Sequence, residues 1–351
     1  MKYYSLVPNI DNRSPNKVAR ELAKGFESLC DFDVQYIYVK KLLNPWPKEF
    51  SNYNKINILE LKKMMMSETV VHSHGFFPDF INAILGVIGA KSKRVSTVHS
   101  IVSKDLNDKK FGSLISKFWL LILKRLDYIF VLSESAKIEY INLLGSKYEN
   151  KIHVVANPLI VSKIKYEHDC KSIIKFINTK KKNGNYIIGT CSVLREMKGI
   201  QHVINALNRN DNIVMIIVGD GPYADQLKKR VVDLDLAERV FFTGFVADPL
   251  PIVNEFDCFL LPSKYEGFPL SLIEAVNLKV PVICNDISIF REFFNESEVS
   301  FVDVENSERF NDEIKNLLIE DKNKVELAYK RLNNHYTLEK VVEKYMNIMN
   351  I

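Results

Sequence analysis

No run of apolar residues in this sequence is long enough to cross a bilayer. The most apolar stretches, 76–90 and 114–123, are short or broken by Asp79 and Lys117, whereas a spanning helix needs about 20 apolar residues in succession. The start, Met1-Lys2-Tyr3-Tyr4-Ser5-Leu6-Val7-Pro8, lacks an apolar signal core. The expectation is a chain with no membrane span and no export. Cysteine is sparse. Cys30, Cys170, Cys191, Cys258 and Cys284 are odd in number and widely spaced, with no pair at metal or redox spacing, which fits a reducing cytoplasm. Zinc-finger spacing, RNA-binding aromatic motifs and long basic runs are missing, which argues against nucleic acid as a partner. There is also no obvious Asp-x-Asp metal motif, since the two such spacings, Asp31/Asp33 and Asp233/Asp235, follow helical stretches rather than strand ends, and no internal repeat or low-complexity tract.

The 351 residues exceed the size at which one core keeps growing, so two domains of roughly 150 to 180 residues are the natural division. Charge is unevenly placed between them. Residues 1–155 carry 23 Lys+Arg against 15 Asp+Glu, and residues 156–351 carry 25 against 28, so a chain of net charge +5 is basic in front and slightly acidic behind. A basic first half suits a negatively charged neighbour, and with nucleic acid disfavoured that neighbour is an anionic membrane surface.

Strand-like and helix-like pieces alternate along the whole chain. In the first half strands are expected at 3–8, 34–39, 69–72, 94–98, 128–132 and 152–155, with helices at 15–29, 79–85, 111–125 and 135–144. The polar stretch 162–185 shows little periodicity and suits a domain boundary. Strands then resume at 186–191, 213–218, 240–243, 258–261, 280–284 and 299–302, and the chain closes with helical pieces at 307–317 and 338–349. Strand followed by helix in both halves implies an α/β chain of two doubly wound, Rossmann-like parallel sheets: an N-terminal domain of 1–160, a C-terminal domain of 161–335, and a final helix, 336–351, packing back toward the first. Ligands in such sheets bind beyond the carboxyl ends of the strands, which points to a cleft between the domains.

One strand-to-helix turn stands out. The buried-looking run Cys258-Phe259-Leu260-Leu261-Pro262 leads through Ser263-Lys264-Tyr265-Glu266-Gly267-Phe268 into a helix with Pro269 at its first position and Glu274 one to two turns inside. Free backbone N–H groups and the positive end of the helix dipole meet at such a turn, which suits phosphate. Glu274 reaches back toward polyol hydroxyls, and Glu266 stays on the loop beside the reactive part of the ligand. A second turn of this kind is Gly189-Thr190-Cys191-Ser192-Val193-Leu194-Arg195-Glu196-Met197-Lys198-Gly199.

Glu266-Gly267-Phe268-Pro269-Leu270 with Glu274 resembles the Glu-x7-Glu signature of retaining glycosyltransferases with the GT-B fold, family 4 (glycosyl transferases group 1). The resemblance covers essentially the whole chain and is strongest over 186–284. It implies that Glu266 lies against a donor sugar, that Glu274 holds ribose hydroxyls, and that backbone N–H groups of Gly267, Phe268 and Leu270 meet the diphosphate; Pro269 has none to offer. The second turn resembles the family's Gly-Arg-Leu-x-x-x-Lys-Gly loop. Lys198 and Gly199 match it, while Val193 stands in the arginine's place and Ser192 in the glycine's. Arg195, two positions on, is the candidate to supply the missing charge through its long forked side chain. Val218-Gly219-Asp220-Gly221-Pro222 and the loop Thr243-Gly244-Phe245 sit where the family carries similar segments, the latter near the nucleobase.

In the first half, Val71-His72-Ser73-His74-Gly75 and Ser96-Thr97-Val98-His99-Ser100 each end a strand with histidine. The family commonly has a histidine where His99 stands, so His99 joins Glu266 and Lys198 as a catalytic candidate. His74, with Asn12 and Arg13 from a first loop that lacks the family's glycines, faces the acceptor. The helix at 109–125, with bulky apolar residues flanked by Lys109, Lys110 and Lys117, suits a lipid interface.

The resemblance implies a hexosyl-type transfer, with retained configuration, from a nucleotide-diphosphate sugar to an acceptor hydroxyl. Neither metal nor other cofactor is expected, Lys198 and helix amino ends supplying the positive field. The expected acceptor is a lipid-linked saccharide in bacterial surface polysaccharide assembly, O-antigen or capsule, on a cytoplasmic protein peripheral to the inner face of the cytoplasmic membrane. Two other readings stay open: a soluble transferase acting on a small metabolite, and a silent subunit that binds nucleotide sugar.

Overall fold

A computed structural model describes residues 1–9, 14–40, 53–100, 112–160, 168–207, 212–319 and 322–351. Of the residues singled out above, Asn12, Arg13, Lys109 and Lys110 lie outside these. The chain forms two compact units, one of Met1–Ile160 with His335–Ile351 and one of Val161–Asn334.

The first unit is a seven-stranded parallel sheet. Its strands are β1 (Lys2–Asn9), β2 (Asp33–Lys40), β3 (Tyr53–Lys55), β4 (Thr69–Ser73), β5 (Lys93–Thr97), β6 (Tyr128–Val131) and β7 (Ile152–Val154), in the order β3-β2-β1-β4-β5-β6-β7. Alternate side chains of a strand face opposite sides, and β1 uses both for burial. Tyr3 and Val7 join Val18, Leu22 and Phe26 of the helix Ser14–Cys30. Tyr4 and Leu6 face the other way, into a cluster with Met64 and Leu85 from the helices Ile58–Met64 and Phe76–Val87.

The C-terminal helix, Leu338–Met349, belongs to this same unit, and its Val341, Val342, Tyr345 and Met349 are buried with Tyr3 and Phe26. The crossing with Ser14–Cys30 is close at Gly25, where a Cβ would stand 2.7 Å from Val342 Cγ2 and 3.0 Å from Leu338 Cδ1.

The second unit is a six-stranded parallel sheet of β8 (Tyr186–Cys191), β9 (Ile213–Val218), β10 (Val240–Gly244), β11 (Cys258–Leu261), β12 (Val282–Asn285) and β13 (Ser300–Val302), ordered β10-β9-β8-β11-β12-β13. Its central strands are apolar at nearly every position and buried, the pattern of strands covered on both faces. Two parallel α/β sheets of this kind make the fold GT-B in class.

Part of the stretch expected to be an aperiodic boundary, 162–185, is in fact a helix, His168–Lys182. Its buried Cys170 and Ile177 and half-buried Ile173 and Ile174 follow a single narrow stripe, which the surrounding lysines mask in the sequence. The helix is held further by Phe176 against Phe241, with ring centroids 4.3 Å apart and Lys180 over both. The short β3, the helix Ile58–Met64 and the helix Lys322–His335 were also not expected.

Candidate active site

In the second unit the order of strands separates two crossovers. From β8 the chain passes through the helix Ile200–Ala206 to β9 on one side, and from β11 it passes through Leu270–Asn277 to β12 on the other. Between the carboxyl ends of β8 and β11 the connections diverge, which is where doubly wound sheets form a binding crevice.

Lys198 and Glu266 meet there. Lys198 ends a single 3-10 turn, Glu196–Lys198, on the loop after β8, and its Nζ donates to Glu266 Oε1 at 2.7 Å. Ser263 Oγ, fully buried, donates to the same oxygen at 2.7 Å. Charge-assisted bonds of this length are the strong class, and this pair keeps 20% and 12% of its side-chain surface, open enough to meet a ligand.

Several backbone features hold the loops. Gly199 has φ +70°, and a Cβ there would lie 2.0 Å from Pro262 O at the end of β11, so only glycine fits. Lys264 N–H donates to Met197 O at 2.9 Å, tying the loop after β11 to the loop after β8. Asn285 on β12 donates from Nδ2 to Ser263 O at 3.1 Å, pinning the segment that carries Glu266. On the other side, Gly219 and Gly221 lie where a Cβ would stand 2.0 Å from Ser192 O and 2.4 Å from Leu194 O.

Two details differ from the sequence reading. Pro269 precedes the helix Leu270–Asn277 rather than opening it, and with φ −83° and ψ 61° it centres an inverse γ-turn. Leu270 N–H therefore donates to Phe268 O at 2.9 Å, so this expected diphosphate donor is already in use. Among the described residues, the N–H groups of Gly267 and Phe268 make no such backbone bond. Phe268 is steadied edge-on by Phe293, with ring centroids 5.1 Å apart.

Glu274 is half-buried on the helix Leu270–Asn277. It acts electrostatically on the end of β8: burial first, and then the Glu274 carboxylate, push the Cys191 thiol up to about 12. Around the missing arginine the burial alternates, with Val193 exposed, Leu194 buried and Arg195 exposed in extended backbone. Arg195 is therefore exposed as Val193 is, with the buried Leu194 between them.

The histidines form a separate constellation within the first unit. His72 is fully buried and both ring nitrogens are satisfied, Nδ1 at 2.6 Å from Tyr3 Oη and Nε2 at 2.7 Å from Thr97 Oγ1. Thr97 in turn meets Tyr345 Oη at 2.9 Å. His72 is thus a packed, structural side chain. Its ring stacks on that of His74, whose Nδ1 lies 3.0 Å from Nε2 of the half-buried His99.

Burial is the first cause holding all three imidazoles neutral: His72 is lowered to about 3, His99 to about 4 and His74 well below its usual range. Among the described residues His74 Nε2 is enclosed without a partner. A proton there would be a buried N–H with no acceptor, so the less costly arrangement puts it on Nδ1, donating to His99 Nε2. His99 then carries its own proton on Nδ1.

Asp79, Ser263 and Asn285 were missed by sequence reasoning. Asp79 is fully buried, accepting from Ser73 Oγ and Trp119 Nε1 at 2.7 Å each. Burial pushes its carboxyl up to about 6 despite those bonds. Ser263 had one visible signal, a hydroxyl at a strand end three residues before Glu266. No group of three His, Cys, Asp or Glu side chains among the described residues is placed to hold a metal ion.

Comparison with known proteins agrees with the fold. Residues 172–334 match the family described as glycosyl transferases group 1, and residues 13–163 match Glycosyltransferase Family 4. The O-antigen biosynthesis glycosyltransferase WclY of Escherichia coli is 30% identical over 302 residues, 83% of this chain and 81% of that protein. A 4-alpha-N-acetylgalactosaminyltransferase of Campylobacter jejuni, named for its diphospho-undecaprenol-linked substrate, is 26% identical over 260 residues, 72% of this chain and 67% of that one. Among solved structures, HepE of Anabaena in complex with UDP superposes with a TM-score of 0.80 at 15% identity, covering 100% of both chains.

Proposed function

The chain belongs to the group 1 glycosyl transferases, and from that premise we propose that it moves a sugar, with retained anomeric configuration, from a nucleotide diphosphate to a hydroxyl of a lipid-linked saccharide in bacterial O-antigen or capsule assembly. The 2.7 Å contact of Lys198 with Glu266 carries this reading. In a nucleotide sugar one oxygen joins the anomeric carbon to the β-phosphorus, so a phosphate-neutralising cation and a sugar-side carboxylate must stand side by side. Lys198 and Glu266 stand side by side at the switch point of the sheet, which supports giving them these two roles. The acceptor class follows what the E. coli and C. jejuni relatives are named for and the basic charge of the first half.

In the reaction the bond from the anomeric carbon to the phosphate oxygen breaks and the acceptor oxygen attacks from the same face. The departing diphosphate takes the acceptor's proton. Lys198 and Arg195 meet the charge that grows on the diphosphate, with N–H groups of Gly267 and Phe268 beside them and no metal needed. Glu266 steadies the positively charged sugar, Glu274 holds the ribose, and His99, with a proton on Nδ1, offers a donor to a hydroxyl. The protein works at the inner face of the cytoplasmic membrane.

Steady-state kinetics test the two carboxylates. Glu266→Gln lowers kcat by about a hundredfold or more with little change in donor KM, and Glu274→Gln chiefly raises donor KM. Equal effects on both parameters in both variants would sink the assignment. The product's anomeric NMR signals decide retention, and activity persisting in excess chelator decides metal independence. Thermal stabilisation by UDP, GDP, ADP or CMP derivatives identifies the donor class.

A further inference from the structure

Two helices of the first unit are apolar on their outward faces as well as their inward ones. Along Phe76–Val87 and its end, Phe77, Phe80, Ile84, Val87 and Ile88 are exposed while Pro78, Asn82, Ala83 and Leu85 are buried. The exposed positions follow the i, i+3, i+7 spacing of one helical stripe, which on an ordinary surface helix is polar. The helix Gly112–Leu123 repeats the pattern, with Leu114, Phe118 and Leu121 exposed against buried Ile122 and Leu123.

The two stripes touch. Ring centroids of Phe80 and Phe118 are 6.0 Å apart, those of Phe76 and Phe118 6.1 Å, and the Trp119 to Asp79 hydrogen bond fixes one helix to the other. Single exposed leucines need no explanation, but eight large apolar side chains in one continuous surface do. In the same layer the helix Ile58–Met64 adds exposed Ile58 and Leu59.

Charge around this surface selects its occupant. Between residues 76 and 126 the single described carboxylate is Asp79, which is buried, whereas Lys91, Lys117 and Arg125 are exposed. A second copy of the chain would bring like charges together. An anionic surface would not. Among the described residues no helix is long and apolar enough to cross a membrane, so the face would lie in the interface rather than span it.

We propose that these two helices form a docking face for an anionic lipid bilayer, with Phe77, Phe80, Val87, Leu114, Phe118 and Leu121 among the acyl chains and the cations at the headgroups. Its purpose rests on the lipid-linked acceptor proposed above; its geometry does not. Apolar burial outweighs charge here, so added salt weakens binding only in part.

Co-sedimentation with phosphatidylglycerol–phosphatidylethanolamine vesicles tests this, at low and high salt. Wild-type protein binds and stays largely bound in salt, and a Phe77→Ser, Leu114→Ser, Leu121→Ser variant with unchanged thermal unfolding loses affinity about tenfold or more. If those serine changes alter unfolding, single Phe77→Ser and Leu121→Ser variants are read instead. No binding by wild type, unchanged binding by the variants, binding abolished by salt, or a lipid-free dimer that the serine changes dissociate would each overturn the proposal. Sugar transfer to a water-soluble acceptor is measured in parallel. Patch-dependent vesicle binding without transfer from any nucleotide sugar supports the docking face while sinking the enzymatic reading, and transfer without vesicle binding does the reverse.

Discussion

At the scale of single residues, the side chains legible in the sequence are those whose type conflicts with their surroundings. Glu266 and Lys198 are charges at the ends of apolar runs, and nothing in a strand-to-helix turn requires them for packing. Ser263 and Asn285 were not legible, because serine and asparagine occur in every loop and the 3.1 Å bond joining them bridges 22 residues of chain and two strands. Asp79 was visible only as an interruption of an apolar run; its burial depends on Trp119, 40 residues away.

Asp79 also has a measurable signature. Its carboxyl is raised from 3.8 to about 6 in the folded protein, so the native state holds this proton to higher pH than the unfolded chain. The stabilisation is present below the unfolded value and is lost as pH rises through the folded one, by at most about 3 kcal/mol. Measured by urea unfolding, Asp79→Asn should gain on wild type by up to that amount between about pH 4 and pH 6.5. A difference independent of pH would show that the carboxyl titrates normally.

At the scale of elements, alternation of strand and helix was readable because buried parallel strands are continuous apolar runs. The helix His168–Lys182 was not, since one narrow buried stripe is all that its position at the sheet requires. Nor could the sequence show that Val193 and Arg195 are both exposed while Leu194 between them is buried.

The turn at Gly199 makes a local prediction. A side chain there meets both a left-handed backbone and Pro262 O at 2.0 Å, whereas Gly184, with φ +80°, has nothing within 4 Å. Gly184→Ala should cost only the backbone part, about 1–2 kcal/mol. Gly199→Ala should cost clearly more and raise donor KM by displacing Lys198. Equal losses of stability in the two variants would mean that the contact with Pro262 is easily relieved.

At the scale of the whole molecule, two parallel sheets were within reach of pattern reading, because each crossover repeats one local rule, whereas the order of strands within them is first seen in the structure. The apolar outer face of the helices Phe76–Val87 and Gly112–Leu123 was half visible. Sequence marks a helix as hydrophobic but does not say which of its faces the core consumes. Removal of residues 336–351 should destabilise the first unit selectively, since Val341, Val342, Tyr345 and Met349 fill its core. Hydrogen exchange should then rise in β1 and Ser14–Cys30 but not in β8 to β13; exchange unchanged in the first unit would show that the helix is dispensable.

That returning helix also sets an order of events during synthesis. Tyr3 and Phe26 are made more than 300 residues before Val341, Tyr345 and Met349, yet they share one core with them, so that core stays open until the returning helix has been made. The second unit has all its residues, Val161–Asn334, available sooner. The earlier-made unit is therefore the one that can close later, and until the returning helix is made its open core is what a chaperone would find.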